Sequence, residues 1–190
     1  MKQLEIIKLV VERLGKAGID YFITGSIAST FYGIPRFTHD IDIVITVEKQ
    51  NIDDMIILFS EDGYISKDSI MDALARVGMF NYIHEETGLK VDFWINRNDP
   101  FARSCFSRAR KMEITEGFFA VMASPEDVLL HKVYWNKLTP SERQIGDARG
   151  IMAVQGENLD HAYIAVWAEK LDVEREIKTL LADKEVLNLT

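Results

Sequence analysis

Apolar residues recur at Leu4, Ile7, Val11 and Leu14 in residues 2–17, and steps of three and four predict an amphipathic helix, ended by Gly15 and Gly18. "DYFIT" (20–24) predicts a short apolar strand closed by Gly25, and residues 26–32 a short helix stopped by Gly33 and Pro35. Strict alternation then appears in "DIDIVITV" (40–47), which sets Ile41, Ile43 and Ile45 on one face of a strand and Asp40, Asp42 and Val44 on the other. "NIDDMIILFSEDG" returns to helical spacing, and "SKDSIMDALAR" predicts a further short helix or ordered connection. Two strands follow, "MFNYIHEE" and "LKVDFWIN", turned at Thr87-Gly88; in the second, Leu89, Val91, Phe93 and Ile95 share one face and Lys90, Asp92 and Trp94 the other. "RKMEIT" and "FFAVMA", joined at Glu116-Gly117, predict another pair.

The pattern changes after Ala123. "SPEDVLLHKVYW" opens with Ser124 as N-cap, Pro125 at the first helical position and Glu126 and Asp127 at the positive end of the dipole. Everything beyond it is helical in period. The division expected is a strand-bearing core over 1–123 and a helical segment over 124–190, in an α/β (α+β) fold with a small mixed sheet. No internal repeat, low-complexity tract or flexible linker interrupts the chain.

Composition narrows the function classes. The 190 residues are 47% apolar, enough for a real core, and carry a formal charge of −8. An acidic surface does not track nonspecifically along DNA, so a polynucleotide would have to be gripped through a local basic patch. Residues 97–111 offer one, with Arg97, Arg103, Arg108, Arg110 and Lys111 against Asp99; it would suit a triphosphate or an RNA backbone, though such a run more commonly marks a solvated face. The single Cys105 excludes an internal disulfide and a thiolate-built zinc site. The histidines at 39, 84, 131 and 161 lack metal-ligand spacing. Trp94, Trp135 and Trp167 read as core or packing residues. With no signal-peptide pattern and no long apolar run, a cytoplasmic protein without membrane attachment is expected.

The candidate chemistry lies in "GSIASTFYGIPRFTHDIDIVI" (25–45). On a strand, side chains two residues apart point the same way, about 6.5–7 Å from one another, so Asp40 and Asp42 converge on one volume. Solvation at a strand end would tolerate the pair; in a partly buried setting their repulsion calls for a divalent cation. Mg²⁺ (or Mn²⁺) takes such carboxylates and keeps positions open for phosphate oxygens. Asp92 is a third acid, from the more polar face of a later strand. Gly25 permits a tight strand-to-helix turn, and Ser26 at the helix start either caps it or adds a donor to a phosphate cradle. Neither a P-loop nor a dinucleotide-binding glycine motif occurs.

The order strand, Gly25-Ser26, helix, Arg36-x-Thr38-x-Asp40-x-Asp42, then Asp92 resembles the nucleotidyltransferase superfamily that includes DNA polymerase beta, and is similar to the bacterial minimal and AbiEii-type members. The resemblance implies the nucleotidyltransferase fold and transfer of NMP from an NTP to a hydroxyl acceptor (RNA, protein or small molecule) with release of pyrophosphate. It implies Asp40, Asp42 and Asp92 as metal ligands and catalytic acids, and Gly25, Ser26, Arg36 and Thr38 as the nucleotide-binding positions. Lys132 and Asp147 match the lysine and aspartate that complete the AbiEii-type site, where a toxin–antitoxin role is also implied. On residue grounds alone Lys132 is equally a solvated helix residue, and Asp147 a salt-bridge partner of Arg143 or Arg149. The rival class is a non-catalytic protein of the same fold that binds a partner protein or RNA.

Overall fold

The computed structural model describes residues 2–187. Its elements, in chain order, are α1 (Lys2–Lys16), β1 (Asp20–Thr24), α2 (Gly25–Tyr32), β2 (Ile41–Thr46), α3 (Ile52–Phe59), β3 (Gly63–Tyr64), α4 (Lys67–Arg76), β4 (Met79–His84) and β5 (Lys90–Ile95). There follow α5 (Pro100–Arg108), β6 (Arg110–Thr115), β7 (Phe118–Met122), α6 (Pro125–Leu138), α7 (Glu142–Gln155), α8 (His161–Lys170) and α9 (Glu174–Leu187). They fall into two compact units. A sheet unit holds Met1–Ile27 and Thr38–Met122; a helical unit holds Ala28–Phe37 and Ala123–Thr190. The segment Ala28–Phe37, which the sequence pattern placed in the strand-bearing part, thus groups with the helices.

In the sheet unit seven strands form one mixed sheet in the order β3-β4-β5-β2-β1-β7-β6. The pairs β2/β5 and β1/β7 are parallel and the others antiparallel. The alternation in β2 produces the expected division, because Ile41, Ile43 and Ile45 are fully buried while Asp42 and Val44 on the opposite face are half-buried. Val91 and Phe93 of β5 are likewise buried, and Phe93 packs against Phe59 and Phe80. In α1 the buried stripe is Ile6, Ile7, Val10 and Leu14; Leu4 and Val11 lie half-buried at its margins. This rotation brings Arg13 inward. Its guanidinium donates to both carboxylate oxygens of Asp62, at 2.6 and 3.0 Å, while the Tyr82 hydroxyl donates to Asp62 at 2.6 Å. The hydrogen bond from Arg13 holds the Asp62 carboxyl below its usual range, against the effect of burial.

Two elements depart from the expected pattern. Helix α5 runs through the basic stretch, with the Asp99 side chain accepting from Ala102 N at 2.8 Å and Pro100 in its first turn. Strand β3 is only two residues long, too short for any period to show. Cys105 is buried in α5. Trp135 is 44% exposed and so belongs to no core. Among the described residues no helix is long and apolar enough to cross a membrane.

In the helical unit α6 is anchored by polar side chains as well as apolar ones. Ser124 caps it by accepting from Asp127 N, and the fully buried Asp127 accepts from the Ser124 hydroxyl at 2.8 Å and the Tyr163 hydroxyl at 2.6 Å. Glu126 accepts from Asp160 N at 2.9 Å, which ties the start of α6 to the cap of α8.

Candidate active site

Strand β2 runs parallel to β5 in a register that sets Asp42 beside Asp92 and Val44 beside Trp94. Neighbouring strands lie about 4.8 Å apart, so the two carboxylates leave the same face as lateral neighbours and repel. Three donors offset this. Trp94 Nε1 donates to Asp42 Oδ1 at 3.2 Å, Lys90 Nζ donates to Asp92 Oδ2 at 2.9 Å, and Asn81 Nδ2 makes a short bond to Asp92 Oδ1. Lys90 and Trp94 share a face with Asp92 by period two, and Asn81 faces Asp92 across the antiparallel β4/β5 pair. Asp92 is 8% exposed.

Asp40 immediately precedes β2 and is half-buried. Its backbone N–H donates to Thr38 Oγ1 at 3.3 Å, and Gln3 Nε2 donates to the Thr38 carbonyl at 3.1 Å, which fixes the turn into the strand. Gly25 begins α2 with φ +61°, and a Cβ there would fall 2.1 Å from Asp42 Oδ2. The Asp42 carboxylate therefore lies directly against the start of α2, where the helix dipole favours negative charge. Glycine is required on two counts at this position, backbone and space. Ser26, next along, is buried.

Hard oxygen donors suit Mg²⁺, which is held by one or two carboxylates with its remaining positions given to water and phosphate. Asp40 and Asp42 fit that requirement. No group of three His, Cys, Asp or Glu side chains gathers as a metal cage among the described residues. Both oxygens of Asp92 are instead engaged by Asn81 and Lys90.

Within the helical unit, a second cluster forms around Asp147 of α7. Arg36 donates to it through Nε at 2.6 Å and Nη2 at 2.8 Å, a bidentate pair, and Lys132 of α6 lies 2.9 Å from Oδ2. Lys132 is 6% exposed, so it is no solvated helix position, and Asp147 is 8% exposed. Burial pushes the Asp147 carboxyl up, but the bonds from Arg36 and Lys132 outweigh it and hold the pKa below the ordinary range. Two cationic side chains thus share one carboxylate. The loop carrying Arg36 is held to α7 by main chain: a Cβ on Gly33 would lie 2.8 Å from Ile151 N, and one on Gly150 would lie 3.1 Å from Ile34 N. Gln155 Nε2 adds a bond to the Tyr32 carbonyl at 2.7 Å.

Of the residues singled out from sequence, Asp42 and Asp92 are thus adjacent, with Gly25 against Asp42 in the sheet unit; Arg36, Lys132 and Asp147 are joined in the helical unit. Trp94, Lys90 and Asn81 were not anticipated as partners of the acids. Their face could be read from alternation, but Asn81 required the β4/β5 register. In the basic stretch, Arg97 pairs with Asp99 at 3.5 Å and Lys111 lies over the Phe119 ring at 5.4 Å.

By sequence, no protein family and no characterised protein matches the chain. Solved structures do match it. An antigenic nucleotidyltransferase-like protein from Paracoccidioides brasiliensis aligns over 94% of this chain and 91% of its own, at 18% identity and TM-score 0.55. ANT(2")-Ia, solved in complex with adenylyl-2"-tobramycin, aligns over 90% of this chain and 99% of its own, at 12% identity and TM-score 0.57. JHP933 from Helicobacter pylori aligns over 96% of this chain and 77% of its own, at 17% identity and TM-score 0.52. The mixed sheet flanked by helices, and its likeness to these proteins over nearly the whole chain, show that this chain has the nucleotidyltransferase fold.

Proposed function

We propose that this protein is a nucleotidyltransferase that moves NMP from an NTP to a hydroxyl acceptor and releases pyrophosphate. The observation that carries the reading is the in-register placement of Asp42 beside Asp92, with Asp40 two residues ahead and Gly25 directly against Asp42. Asp40 and Asp42 would hold Mg²⁺ or Mn²⁺, which when bound neutralises charge on the triphosphate and on the leaving pyrophosphate.

Asp92 is the acid on the acceptor side. It takes the proton of the attacking hydroxyl as the acceptor oxygen bonds to the α-phosphorus and the bond to the pyrophosphate oxygen breaks. Gly25 and Ser26 present the N-terminus of α2, whose N–H groups suit a phosphate oxygen, and Thr38 sets Asp40 in place. In the helical unit, Asp147 holds Arg36 and Lys132 in place. An acceptor in RNA, in protein or in a small molecule is compatible with this chemistry; the adenylyl-2"-tobramycin in the ANT(2")-Ia structure makes small molecules the first class to try.

The test is incubation of the protein with each α-labelled NTP, Mg²⁺ and acceptor pools of the three classes. Label should move to one pool in stoichiometric balance with pyrophosphate, and Asp40→Asn with Asp42→Asn should abolish it while the fold persists. Transfer by that double variant at the wild-type rate would overturn the assignment.

A further inference from the structure

Trp94 meets Asp42 along a diagonal of the sheet. The β2/β5 register sets Asp92 beside Asp42 and Trp94 beside Val44, so the indole starts two residues further along the face that carries the acids. An aromatic side chain is long enough to span that diagonal, and Nε1 donates to Asp42 Oδ1 at 3.2 Å. In register Trp94 has Val44 of β2 on one side and Met79 of β4 on the other, and all three residues are half-buried. The donor is thus carried by a rigid ring within the sheet, unlike the flexible Lys90 ammonium that bonds Asp92.

An indole N–H donates, accepts nothing and carries no charge. It therefore orients a carboxylate without neutralising it. A carboxylate offers about four lone-pair sites, so one bond on Oδ1 leaves Asp42 able to ligate an ion. What the bond takes away is rotation. Oδ2 lies against the start of α2, where a Cβ on Gly25 would fall 2.1 Å from it, and Oδ1 is held by the indole. The carboxylate is confined at both oxygens before an ion arrives, so binding does not have to order it. Donors bonded in this way to a ligating side chain contribute about 10–100-fold to metal affinity.

We propose that Trp94 is a positioning residue for the metal ion: its indole N–H fixes the Asp42 carboxylate in the orientation that receives Mg²⁺ or Mn²⁺. The inference rests on the nucleotidyltransferase reading above and deepens it, because it adds to that site a residue that acts through Asp42.

Mn²⁺ binding to the whole chain tests this. It is followed by water proton relaxation, which separates protein-bound Mn²⁺ from Mn²⁺ on free nucleotide, with and without saturating α,β-methylene-ATP. Two replacements separate the donor from the ring. Trp94→Phe keeps an aromatic body and loses the N–H. Replacement of Trp94 by benzothienylalanine keeps the bicyclic shape, with sulfur in place of the N–H. Both should weaken Mn²⁺ binding about tenfold or more. The melting temperature without metal reports any loss of packing separately, which is all that a merely structural role would change. Unchanged or tighter Mn²⁺ binding in either folded variant overturns the inference while leaving a metal-dependent transferase standing. If Trp94→Phe fails to fold, the benzothienylalanine protein decides alone. No saturable Mn²⁺ binding by the wild type under either condition overturns the nucleotidyltransferase reading itself and this inference with it.

Discussion

Replacing Asp147 by Asn removes the negative charge that the half-buried Arg36 and the buried Lys132 share. Side-chain exposure is 5% for Asp147, 8% for Lys132 and 27% for Arg36. Breaking a buried pair by deleting one partner costs about 3–5 kcal/mol, most of it the penalty of the charge left behind. Arg36 can recover some hydration and Lys132 cannot, so the lower end applies, about 3 kcal/mol. With a urea slope of about 2–3 kcal/mol per molar, the unfolding midpoint should fall by about 1–1.5 M. The pH arm has a definite sign. The folded pKa of Asp147 lies below its unfolded value near 3.9, so the carboxylate stabilises fully above that value, and the contribution is lost as pH falls through the folded pKa. The gap between wild type and Asp147→Asn should therefore be wide from about pH 5 to 8 and close below about pH 4. A loss under about 0.5 kcal/mol at neutral pH, the range of ordinary surface changes, would refute the claim that this carboxylate organises Arg36 and Lys132.

Gly25→Ala should cost about 1 kcal/mol or more from its positive φ and, by displacing the Asp42 carboxylate, eliminate transfer. Gly18→Ala is the matched control, since Gly18 has φ +63° but no heavy atom within 4 Å of the place a Cβ would take; it should lose similar backbone stability with activity intact. Asp62→Asn should lower stability by about 1–2 kcal/mol in thermal or urea unfolding, because it removes the nearer of the two carboxylates that Arg13 meets and leaves Glu61 at 3.4 Å, and should leave KM for the nucleotide unchanged. A changed KM would bring Arg13 and Asp62 into the functional machinery.

Much of this fold is legible where one physical constraint acts on consecutive residues. Ile41, Ile43 and Ile45 announce their shared face because a strand buried on one side must alternate, and the two aspartates between and before them inherit the other face. Ser124-Pro125 announces α6 through capping alone. The same logic would have found α5, since Asp99-Pro100 carries the same start signal; the five basic residues around it drew the reading toward charge instead. What stayed hidden depends on partners distant along the chain. Asp147 invited a neighbour such as Arg143 or Arg149, but its bidentate partner is Arg36, 111 residues away. Trp94 reads as packing until the β2/β5 register sets it beside Val44, within reach of Asp42.

The main-chain approach of Gly33 to Gly150 and Ile151 has a consequence for how this protein tolerates change. A side chain at either glycine would meet main chain, and it would pry the Arg36 loop from α7 and lengthen the reach of the guanidinium to Asp147. In a library of random substitutions selected for activity, positions 33 and 150 should be as depleted of variants as the acids themselves. The rest of the exposed surface of α7 should drift freely. A map of intolerant positions drawn from such a library would contain two kinds of residue, those that meet the substrate and those that keep two backbones close, and only the structure tells them apart.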